Sequence, residues 1–387
     1  MKCLPTLLLL LLIAPSFLFY VPNVQCQSDW WNSSWQYRMQ LSYDYSKIDA
    51  NQTDFPLLVH LNYSRVSWEA IKDNLADLRF VSNNETLAHE IESYIVNSEA
   101  WIWVKVNTTQ SLFMYYGNSI ASSIENKTAV WETTNVMTQH MKDETTSTIL
   151  DSTSYNNDGT KKAANEPVEI AGKIGEALSF DGVNDRILNT AFTIDGYGKL
   201  TISALVKYSV SQDNKEIVGW WYNYNNHLCI QNNQIWLRLW NGATGVNVIS
   251  DSVLNDNLFH FVVGTYDKDV GTNNVILYID GVKQVSTSTL TGVLAVSDAF
   301  GIGGYGSGGG GGFFTGIIDE VRIYNRALTV EWIKASYYSE SDTLLSFGSE
   351  QNYEAPTPEP TVFPPYAYVA IILAVAALTI AATYKKK

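Results

Sequence analysis

The stretch FTGIIDEVRIYNRALT, residues 314–329, holds two adjacent carboxylates, Asp319 and Glu320, among branched apolar residues. Side chains alternate along a strand, so we expect Asp319 on one face with Ile317, and Glu320 on the other with Arg322. A glycosidase needs two carboxyl groups about 5 to 9.5 Å apart across one bond, which neighbours on opposite faces do not supply. We therefore predict that both carboxylates close a strand, with Asp319 held by backbone N–H groups, an arginine or a bound cation.

A second oxygen-rich stretch, DSTSYNNDG, carries Asp151, Asn156, Asn157 and Asp158 in one loop. Carboxylate and amide oxygens are ligands that suit a hard cation such as calcium. They are equally typical of plain turns, because Asn and Asp side chains bond to their own backbone. Calcium is the only cofactor that the sequence suggests, with Asp151, Asn156, Asp158 and Asp319 as candidate ligands.

The richest candidate for ligand binding is the stretch GWWYNYNNHLCIQNNQIWLRLWNG. Alternation in IWLRLW places Trp236, Arg238 and Trp240 on one strand face, away from three apolar residues. Two indoles that flank a guanidinium form a platform on which a sugar ring can stack. Trp221 and His227 precede this strand and complete the candidate site. The alternative is that both faces of the strand are buried.

Other motifs that could indicate catalysis or metal binding lack the flanking elements or the spacing that this chemistry requires. GIGGYGSGGGGGFF contains G-x-G-x-x-G, but no helix follows, so we predict a loop between two strands. In HEIES, alternation separates His89 from Glu90 and Glu92, which argues against zinc. The stretch YDKDVGTNN departs from the EF-hand spacing and predicts a hairpin loop. The five histidines form no ligand cluster in the sequence, and we predict that the protein is not an enzyme.

The elements that must position these residues are strands. Alternating runs such as WIWVKV, ILYID and DEVRIY are separated by turn signals, and aromatic residues make up 13% of the chain. This pattern predicts an antiparallel all-β fold. In WIWVKV, we expect Trp101 and Trp103 to serve packing between domains rather than ligand stacking. One short helix is expected over residues 330–337, with Thr329 as its N-cap.

Two apolar runs lie near the ends of the chain. Lys2 and LLLLLLIAPSFLF predict a signal peptide over residues 1–26, with an uncleaved anchor as the alternative. Residues 366–384 would cover about 28 Å as a helix, close to the ~30 Å hydrocarbon core of a bilayer. The lysines of residues 385–387 predict a cytoplasmic basic tail, which places everything before the span outside the cell.

The charge of the predicted outer part excludes a nucleic-acid partner. All 39 Asp and Glu lie between the two terminal segments, which hold four of the 25 Lys and Arg. The predicted outer part therefore carries 39 acidic and 21 basic side chains. Phosphate backbones attract the opposite balance. Of three cysteines, only Cys229 lies outside the predicted signal peptide, so no internal disulfide is expected. Residues 351–365 contain APTPEPTVFPP and predict a Pro-rich stalk.

Sequons for N-glycosylation divide the chain, because none follows residue 126. The candidate glycosylation sites are Asn32, Asn51, Asn62, Asn84, Asn107 and Asn126. We infer a first domain over residues 28–131 with a surface that tolerates glycans, and a second over residues 136–349 without them. Chance clustering is the alternative.

Residues 30–130 resemble the domain-of-unknown-function 2341 family of prokaryotic surface proteins. The matching pieces are WWNSSWQYRMQL, LADLRFVSNNETLAHEIESY, AWIWVKV and SLFMYYGN, in the order of the family. This resemblance implies a β-sandwich on an extracellular protein, with no established activity.

Residues 138–347 resemble LamG-like (concanavalin A-type) jelly-roll domains. The matching pieces are DSTSYNNDGT, GKIGEALSFDGVNDRI, LTISALVKYS, FHFVVGTYD, ILYIDGV and FTGIIDEVRIYNRALT. The resemblance implies a fold shared by lectins, adhesins and glucanases, so it does not fix the function. Leu205 and Phe261 stand where the family commonly has Trp and His, and the E-x-D-x-x-E signature of the glucanases is absent.

Together these observations predict an all-β protein of two β-sandwich domains, the second a concanavalin A-like jelly roll, plus a C-terminal transmembrane helix. We expect a membrane-anchored cell-surface glycoprotein that binds glycan through the jelly roll, as a lectin or adhesin. Its expected partners are a glycan or another cell-surface protein. A structural envelope subunit or protein–protein interaction subunit is the first alternative, and a glycoside hydrolase is the second.

Overall fold

The computed structural model describes residues 30–142, 146–163, 166–220, 226–296, 298–306 and 311–355, together with Leu373. Residues 31–353 form one compact unit. Within the described ranges, no helix is long and apolar enough to cross a membrane. The predicted signal peptide, transmembrane helix and basic tail lie outside the described residues, apart from Leu373, and stay predictions.

Strands account for nearly all of the regular structure. The strands of the first part are β1 Tyr37–Tyr43, β2 Phe55–Asn62, β3 Arg79–Ser82, β4 Glu85–Thr86, β5 His89–Ile95, β6 Glu99–Val106 and β7 Leu112–Tyr116. Next come β8 Asn135–Gln139, β9 Thr148–Ile149, β10 Gly159–Lys161, β11 Val168–Ala171, β12 Glu176–Asp181, β13 Ile187–Asn189, β14 Lys199–Lys207, β15 Lys215–Trp220, β16 Asn226–Gln231 and β17 Gln234–Trp240. The last are β18 Gly245–Val253, β19 His260–Asp267, β20 Val275–Ile279, β21 Val282–Ser288, β22 Phe300–Ile302, β23 Thr315–Tyr324, β24 Leu345–Phe347 and β25 Gln351–Asn352. Helices are α1 Lys127–Val130, α2 Val330–Glu340 and a 3-10 turn at Trp68–Ala70.

These strands form four antiparallel sheets in the described part of the chain. The β1 sheet has the order β24-β1-β7-β3-β4, with β25 also on β1, and the β6 sheet has the order β2-β6-β5. The β17 sheet has the order β18-β17-β16-β15-β22-β13-β10-β9. The β23 sheet has the order β11-β12-β23-β14-β19-β20-β21, with β8 also on β23. The all-β prediction is confirmed.

The first sandwich consists of the β1 and β6 sheets, which share one apolar core. Leu41 and Met114 of the β1 sheet pack with Leu57 and Ile102 of the β6 sheet. Strand β24, which lies inside the range predicted for the second domain, pairs with β1 and so belongs to this sandwich. The chain therefore returns to its first sandwich after it has completed the second.

The second sandwich consists of the β17 and β23 sheets, which enclose the larger core. Ile202 and Ile318 of the β23 sheet pack with Leu228 and Leu237 of the β17 sheet. The long loop after β22 connects it to β23, and a hairpin joins β19 to β20, as the sequence predicted.

The outer face of the β23 sheet packs against the first sandwich. Leu205 and Phe261, the two positions that depart from the jelly-roll pattern, both lie in the core of the first sandwich. Helix α2 is part of the same contact, since the ring of Trp332 lies 5.2 Å from that of Phe55. The predicted N-cap is confirmed, because Thr329 Oγ1 accepts a hydrogen bond from the amide of Trp332.

A β-bulge at Glu320 changes the direction of the two adjacent carboxylates. Ile318 and Val321 both lie in the core of the second sandwich, so two residues stand between consecutive core positions. Leu205 pairs with Asp319, the register then shifts, and Glu320 has φ +49°. Asp319 and Glu320 therefore leave the strand on the same side. The prediction that alternation separates them is wrong, because a bulge inserts one extra residue.

Candidate functional site

Strand β17 presents three large side chains on the outer face of the β17 sheet. Trp236, Arg238 and Trp240 are half-buried there, whereas the residues between them are buried in the core of the second sandwich. We call these three residues the aromatic row. The structure thus brings the predicted platform residues of this strand together, although their role in binding stays a prediction.

Contacts within the sheet fix the aromatic row. The guanidinium carbon of Arg238 lies 5.2 Å from the ring centre of Trp236, within the range of a cation–π contact. Nη2 of Arg238 donates to Oε1 of Gln231 over 3.2 Å. Strand β18 offers a glycine beside Trp240, since a Cβ added at Gly245 would lie 3.1 Å from Cε3 of that indole. The glycine gives the indole room to lie against the edge strand.

Two donors of the aromatic row have no partner among the described residues. Nε1 of Trp236 and Nε of Arg238 are both buried, and neither makes a hydrogen bond there. Buried polar atoms are nearly always paired, so an unpaired one marks a place that a water or ligand completes. An indole face with a free N–H and a guanidinium together suit the hydroxyl and ring oxygens of a sugar.

Beside the row, on the same face of the sheet, lies a buried acid–imidazole pair, since His227 is the direct cross-strand partner of Arg238. Nδ1 of His227 is 2.6 Å from Oε2 of Glu216, and both side chains are fully buried. Burial raises the pKa of Glu216 well above its usual value and lowers that of His227 well below. His227, a predicted ligand-binding residue, therefore lies on the same face as Arg238 but is covered and does not reach an open surface. Trp221, the fifth predicted residue, lies outside the described residues.

The outer face continues from the aromatic row across the sheet. Cross-strand partners lead from Arg238 through His227, Gly219 and Gly301 to Leu188. At the far end, a cavity of about 390 Å³ is lined by Asp158, Thr160, Lys161, Lys162, Arg186, Leu188, Asn189 and Thr190. The face therefore offers room and polar groups well beyond the row.

The loop between β22 and β23 contributes Tyr305 to this face. Arg186 Nη1 donates to the carbonyl of Tyr305 over 2.8 Å, and the amide of Tyr305 donates to the carbonyl of Gly311. Burial raises the pKa of the Tyr305 phenol to about 12. The phenol thus stays a neutral donor and acceptor next to the centre of the face.

The predicted calcium loop is closed by its own hydrogen bonds. The carboxylate of Asp151 accepts from the amides of Thr138, Thr153 and Asn157, and from the hydroxyl of Thr153. Asp158 Oδ1 accepts from the amide of Asp151, while Asn156 donates its side-chain N–H to the carbonyl of Ser154. These bonds are those expected if the loop is a plain turn. Calcium binding at this loop stays a prediction, and it would require these hydrogen bonds to rearrange.

Asp319, the fourth calcium candidate, is fully buried. Its Oδ2 accepts from the amides of Lys173 and Ile174, at 2.9 and 3.2 Å. Burial, with the nearby Glu320 and Glu92, raises its pKa well above the usual value. Of the partners expected for this carboxylate, the structure shows the backbone N–H groups.

The six candidate glycosylation sites lie on the first sandwich or next to it. Asn51, Asn84 and Asn126 are exposed, and Asn32, Asn62 and Asn107 are half-buried. Whether they carry glycans stays a prediction.

The structure adds a second polar site that the sequence did not reveal, at the contact between the two sandwiches. We call it the inter-sandwich cluster, and it consists of Glu90, Glu92, His140, Glu320, Arg322 and Glu340. All six side chains are buried. Strand β5 supplies the first two, the segment after β8 supplies His140, and β23 and α2 supply the rest.

His140 lies at the centre of the inter-sandwich cluster. Its Nδ1 lies 2.6 Å from Glu320 Oε1 and 3.4 Å from Glu92 Oε2, and its Nε2 lies 3.5 Å from Glu90 Oε2. These carboxylates hold the pKa of His140 well above its usual value despite its burial. His140, in turn, lowers the pKa of Glu90 against the effect of burial. The imidazole is therefore a buried cation.

Arg322 is the second cation of the cluster. It bonds to Glu320, and its Nη1 lies 2.5 Å from Glu340 Oε1. Its guanidinium carbon lies 4.5 Å from the ring centre of Trp103, which confirms that Trp103 serves packing between the sandwiches. Burial raises the pKa of Glu340 to about 7, and burial together with Glu320 raises that of Glu92 to about 8.

Sequence reasoning missed this cluster for a physical reason. The sequence predicts Glu90 and Glu92 on one strand face, but His140 and Glu340 lie 48 or more residues away along the chain. Both Glu92 and Glu320 stand where the strand register shifts, and such bulges re-aim side chains without a sequence signal. The only available signal was an excess of acidic residues in strands that are otherwise apolar.

The fold and the outer face define a protein with a concanavalin A-like jelly roll joined to a smaller β-sandwich. Residues 180–334 match the model of the concanavalin A-like lectin/glucanases superfamily, and residues 74–158 match that of the domain of unknown function 2341. Both predicted resemblances are confirmed, in the predicted order. The chain thus has a lectin/glucanase-like jelly-roll fold.

Solved structures with a similar fold include carbohydrate-processing proteins and toxins. The receptor-binding domain of botulinum neurotoxin mosaic serotype C/D is 18% identical, and the alignment covers 53% of this chain and 50% of that chain with a TM-score of 0.41. Domain 4 of AbnA, an arabinanase from Geobacillus stearothermophilus, in complex with arabinotriose, is 20% identical. The alignment covers 52% of this chain and 96% of that chain with a TM-score of 0.41. Trypanosoma rangeli sialidase is 16% identical, and the alignment covers 66% of this chain and 42% of that chain with a TM-score of 0.40.

This chain spans about half the length of the neurotoxin domain. At these levels of identity and superposition, the three structures do not define a function for the chain. The curated proteins contain no match to it.

Proposed function

We propose that this protein recognises carbohydrate, without catalysis, through the outer face of the β17 sheet. The observation that carries this proposal is the aromatic row, in which two half-buried indoles flank an arginine and two buried donors lack partners among the described residues. The indole faces would stack on apolar sugar faces, while the unpaired N–H groups would donate to sugar oxygens. Affinities between millimolar and micromolar per site, about −4 to −8 kcal/mol, are typical of such contacts.

The nearest carboxylate supports a binding role over a hydrolytic one. Glu216 is fully buried and bonded to His227, so it does not stand free beside a ligand on the row. A glycosidase would need two carboxyl groups placed across the scissile bond. The raised pKa of Glu216 keeps it protonated and suits a buried structural acid.

We place this recognition at the cell surface. The apolar run of residues 366–384 and the basic tail would anchor the chain, and the signal peptide would export the two sandwiches. N-glycans on the first sandwich would leave the β17 sheet uncovered, because all six sequons precede residue 127. Partners would be glycans presented by other cells or by the envelope.

A glycan array with the purified full-length chain tests the proposal. We expect specific binding that Trp236→Ala and Trp240→Ala each reduce at least tenfold. Trp101→Ala is the matched control, because Trp101 is a half-buried indole on the first sandwich, stacked on His60. Loss of binding in the control but not in the two row variants would overturn the proposal, as would the absence of binding by a folded chain.

The same array run with calcium and with a chelator tests the calcium prediction separately. Binding that survives the chelator leaves the aromatic row as the site. Binding that the chelator abolishes assigns a role to Asp151 and its loop.

A further inference from the structure

The inter-sandwich cluster contains a set of atoms with the spacing of metal ligands. One atom from each of Glu92, His140 and Glu320 lies within 4.8 Å of the other two, and all three side chains are buried. The atoms that approach most closely are His140 Nδ1, Glu320 Oε1 and Glu92 Oε2, at 2.6 and 3.4 Å from the imidazole nitrogen. One imidazole nitrogen and two carboxylate oxygens form a donor set that binds first-row divalent cations.

The balance of buried charge also favours a cation. The carboxylates of Glu90, Glu92, Glu320 and Glu340, with Asp319 beside them, face two buried basic groups among the residues that the structure describes, His140 and Arg322. Lys142 is the nearest further cation, and its Nζ donates to the main-chain carbonyl of Glu92 over 2.9 Å. Buried carboxylates are costly unless a proton, a cation or a hydrogen bond compensates them.

One buried polar atom of the set is unpaired within the described ranges, because Oε1 of Glu92 makes no hydrogen bond there. The other oxygen of this carboxylate accepts from Nε1 of Trp103 over 2.6 Å and lies 3.4 Å from Nδ1 of His140. The unpaired oxygen is an observation independent of the acidic composition, and it points to a missing partner.

The surroundings have the arrangement of an outer coordination shell. Glu90 Oε2 lies 3.5 Å from Nε2 of His140, on the side opposite the two carboxylate ligands. A histidine that binds a metal through one nitrogen usually donates its other N–H to a carboxylate. Glu90 is itself held by Nε1 of Trp131 at 2.8 Å and by the hydroxyl of Ser152 at 2.6 Å. Trp103 and Arg322 orient the carboxylates of Glu92 and Glu320 in the same way.

We propose that Glu92, His140 and Glu320 bind one divalent first-row cation, Zn²⁺ before Mn²⁺, between the two sandwiches. His140 Nδ1 shares a proton with the two carboxylates, and the cation replaces this proton. Glu90 accepts the proton that remains at Nε2 of His140. The ligands come from both sandwiches, so the bound ion joins them. This site is separate from the calcium candidates in the Asp151 loop.

A cavity provides the path to the site. It has a volume of about 520 Å³ and is lined by Glu90, Ile91, Glu92, Glu125, Lys127, His140, Lys142, Thr146, Thr148, Leu150 and Ser152. Glu90, Glu92 and His140 thus belong both to the cavity wall and to the cluster. A cation can reach the ligands from this side, and the cavity leaves space for water as a further ligand.

The test measures metal content in the full-length chain. Bound metal is removed from the protein with a chelator, and the protein is incubated with ZnCl₂ or MnCl₂ and desalted. Its metal content is then measured by inductively coupled plasma mass spectrometry. We expect about one zinc ion per chain, and Co²⁺ added to the stripped chain should give the absorption spectrum of a low-symmetry nitrogen–oxygen site. Less than about a tenth of an ion in the folded wild-type chain would overturn the proposal.

Variants locate the ion. Glu92→Gln preserves the shape of the side chain, and we expect it to weaken zinc binding at least a hundredfold. Glu90→Gln removes the outer-shell acceptor and should weaken binding about 10–100-fold. Glu125→Gln is the matched control, because Glu125 lines the same cavity but lies outside the ligand set, and it should bind zinc as the wild type does.

Two results beyond the wild-type measurement also count against the site. Full binding by Glu92→Gln, or a loss in Glu125→Gln as large as in Glu92→Gln, would place the ion elsewhere. If Glu92→Gln does not fold, Glu90→Gln and the wild-type stoichiometry still decide.

Discussion

Oε2 of Glu216 lies 2.6 Å from Nδ1 of His227, and both side chains are fully buried next to Arg238 of the aromatic row. Burial shifts the two pKa values in opposite directions, upward for Glu216 and downward for His227, and the charge of Arg238 lowers both pKa values. A neutral carboxylic acid therefore donates to a neutral imidazole. An ion pair of the same residues would titrate in the opposite sense, so the protonation state has measurable consequences.

The first prediction concerns the pH dependence of stability. The raised pKa of Glu216 stabilises the fold fully below its unfolded value of 4.5, and this contribution is lost as the pH rises. The lowered pKa of His227 stabilises the fold fully above 6.5, and this contribution is lost as the pH falls. Between these values the two slopes cancel. Glu216→Gln removes one of them, so its free energy of unfolding should fall relative to wild type by about 1.4 kcal/mol per pH unit from 6.5 downward.

Urea unfolding at several pH values between 4.5 and 6.5 measures this slope. Glu85→Gln, a change at an exposed residue of β4, is the control and should run parallel to wild type. A Glu216→Gln profile that is also parallel to wild type would contradict the neutral pair.

The outcome for strand β17 shows what alternation can predict. The register between β17 and β18 shifts next to Trp236, but the extra residues lie in β18. Strand β17 itself therefore keeps every second side chain on one face, and the placement of Trp236, Arg238 and Trp240 follows directly from the sequence. The helix after Thr329 was predictable for a similar reason, since the N-cap and the helix start are local signals.

The inter-sandwich cluster shows where such reasoning ends. Glu92 and Glu320 stand at register shifts, and no local residue type announces them. His140 reaches these carboxylates only because β8 pairs with β23, a contact between residues some 180 positions apart. Likewise, β24 joins the first sandwich after the whole jelly roll, so its partner depends on tertiary packing. Long-range pairing, not propensity, decides these features.

The second prediction concerns Arg322, which lies between Glu320 and Glu340. Arg322→Met leaves two buried carboxylates without their shared cation, and it removes the stacking on Trp103. Breaking a buried ion pair by removing one partner costs about 3–5 kcal/mol. Urea unfolding at pH 7 should show a loss of this size.

Lys199→Met is the control for Arg322→Met. Lys199 pairs with Asp267 and Asp269 on the surface, where ion pairs contribute about 0–1 kcal/mol. Losses of equal size in both variants would mean that burial of the cluster does not govern its strength.

The third prediction concerns Gly219, which pairs with His227 in the middle of the β17 sheet. Its φ is +145°, and an added Cβ would lie 2.4 Å from the Cβ of His227 and 2.5 Å from the carbonyl oxygen of Asn226. Gly219→Ala should therefore combine backbone strain with overpacking, each about 1–3 kcal/mol. The loss is measured as a lower midpoint of thermal unfolding.

Gly271→Ala separates the two causes. Gly271 also has a positive φ, +92°, but nothing lies within 4 Å of an added Cβ. It should lose stability through strain alone and so less than Gly219→Ala. The opposite ranking would show that contact with His227 does not limit this position.

The last prediction probes the aromatic row without removing an indole. Gly245 lies in edge strand β18 against the indole of Trp240, so the side chain of Gly245→Val must displace that ring. Glycine is unfavourable inside a strand and valine is favourable, so the free energy of unfolding should not fall. Glycan binding should weaken about tenfold, or about 1.4 kcal/mol, measured by calorimetric titration with the best ligand from the array. Ser252→Val, at an exposed position near the other end of β18, should leave the affinity unchanged. Equal affinity of Gly245→Val and wild type would show that the position of Trp240 does not matter for binding.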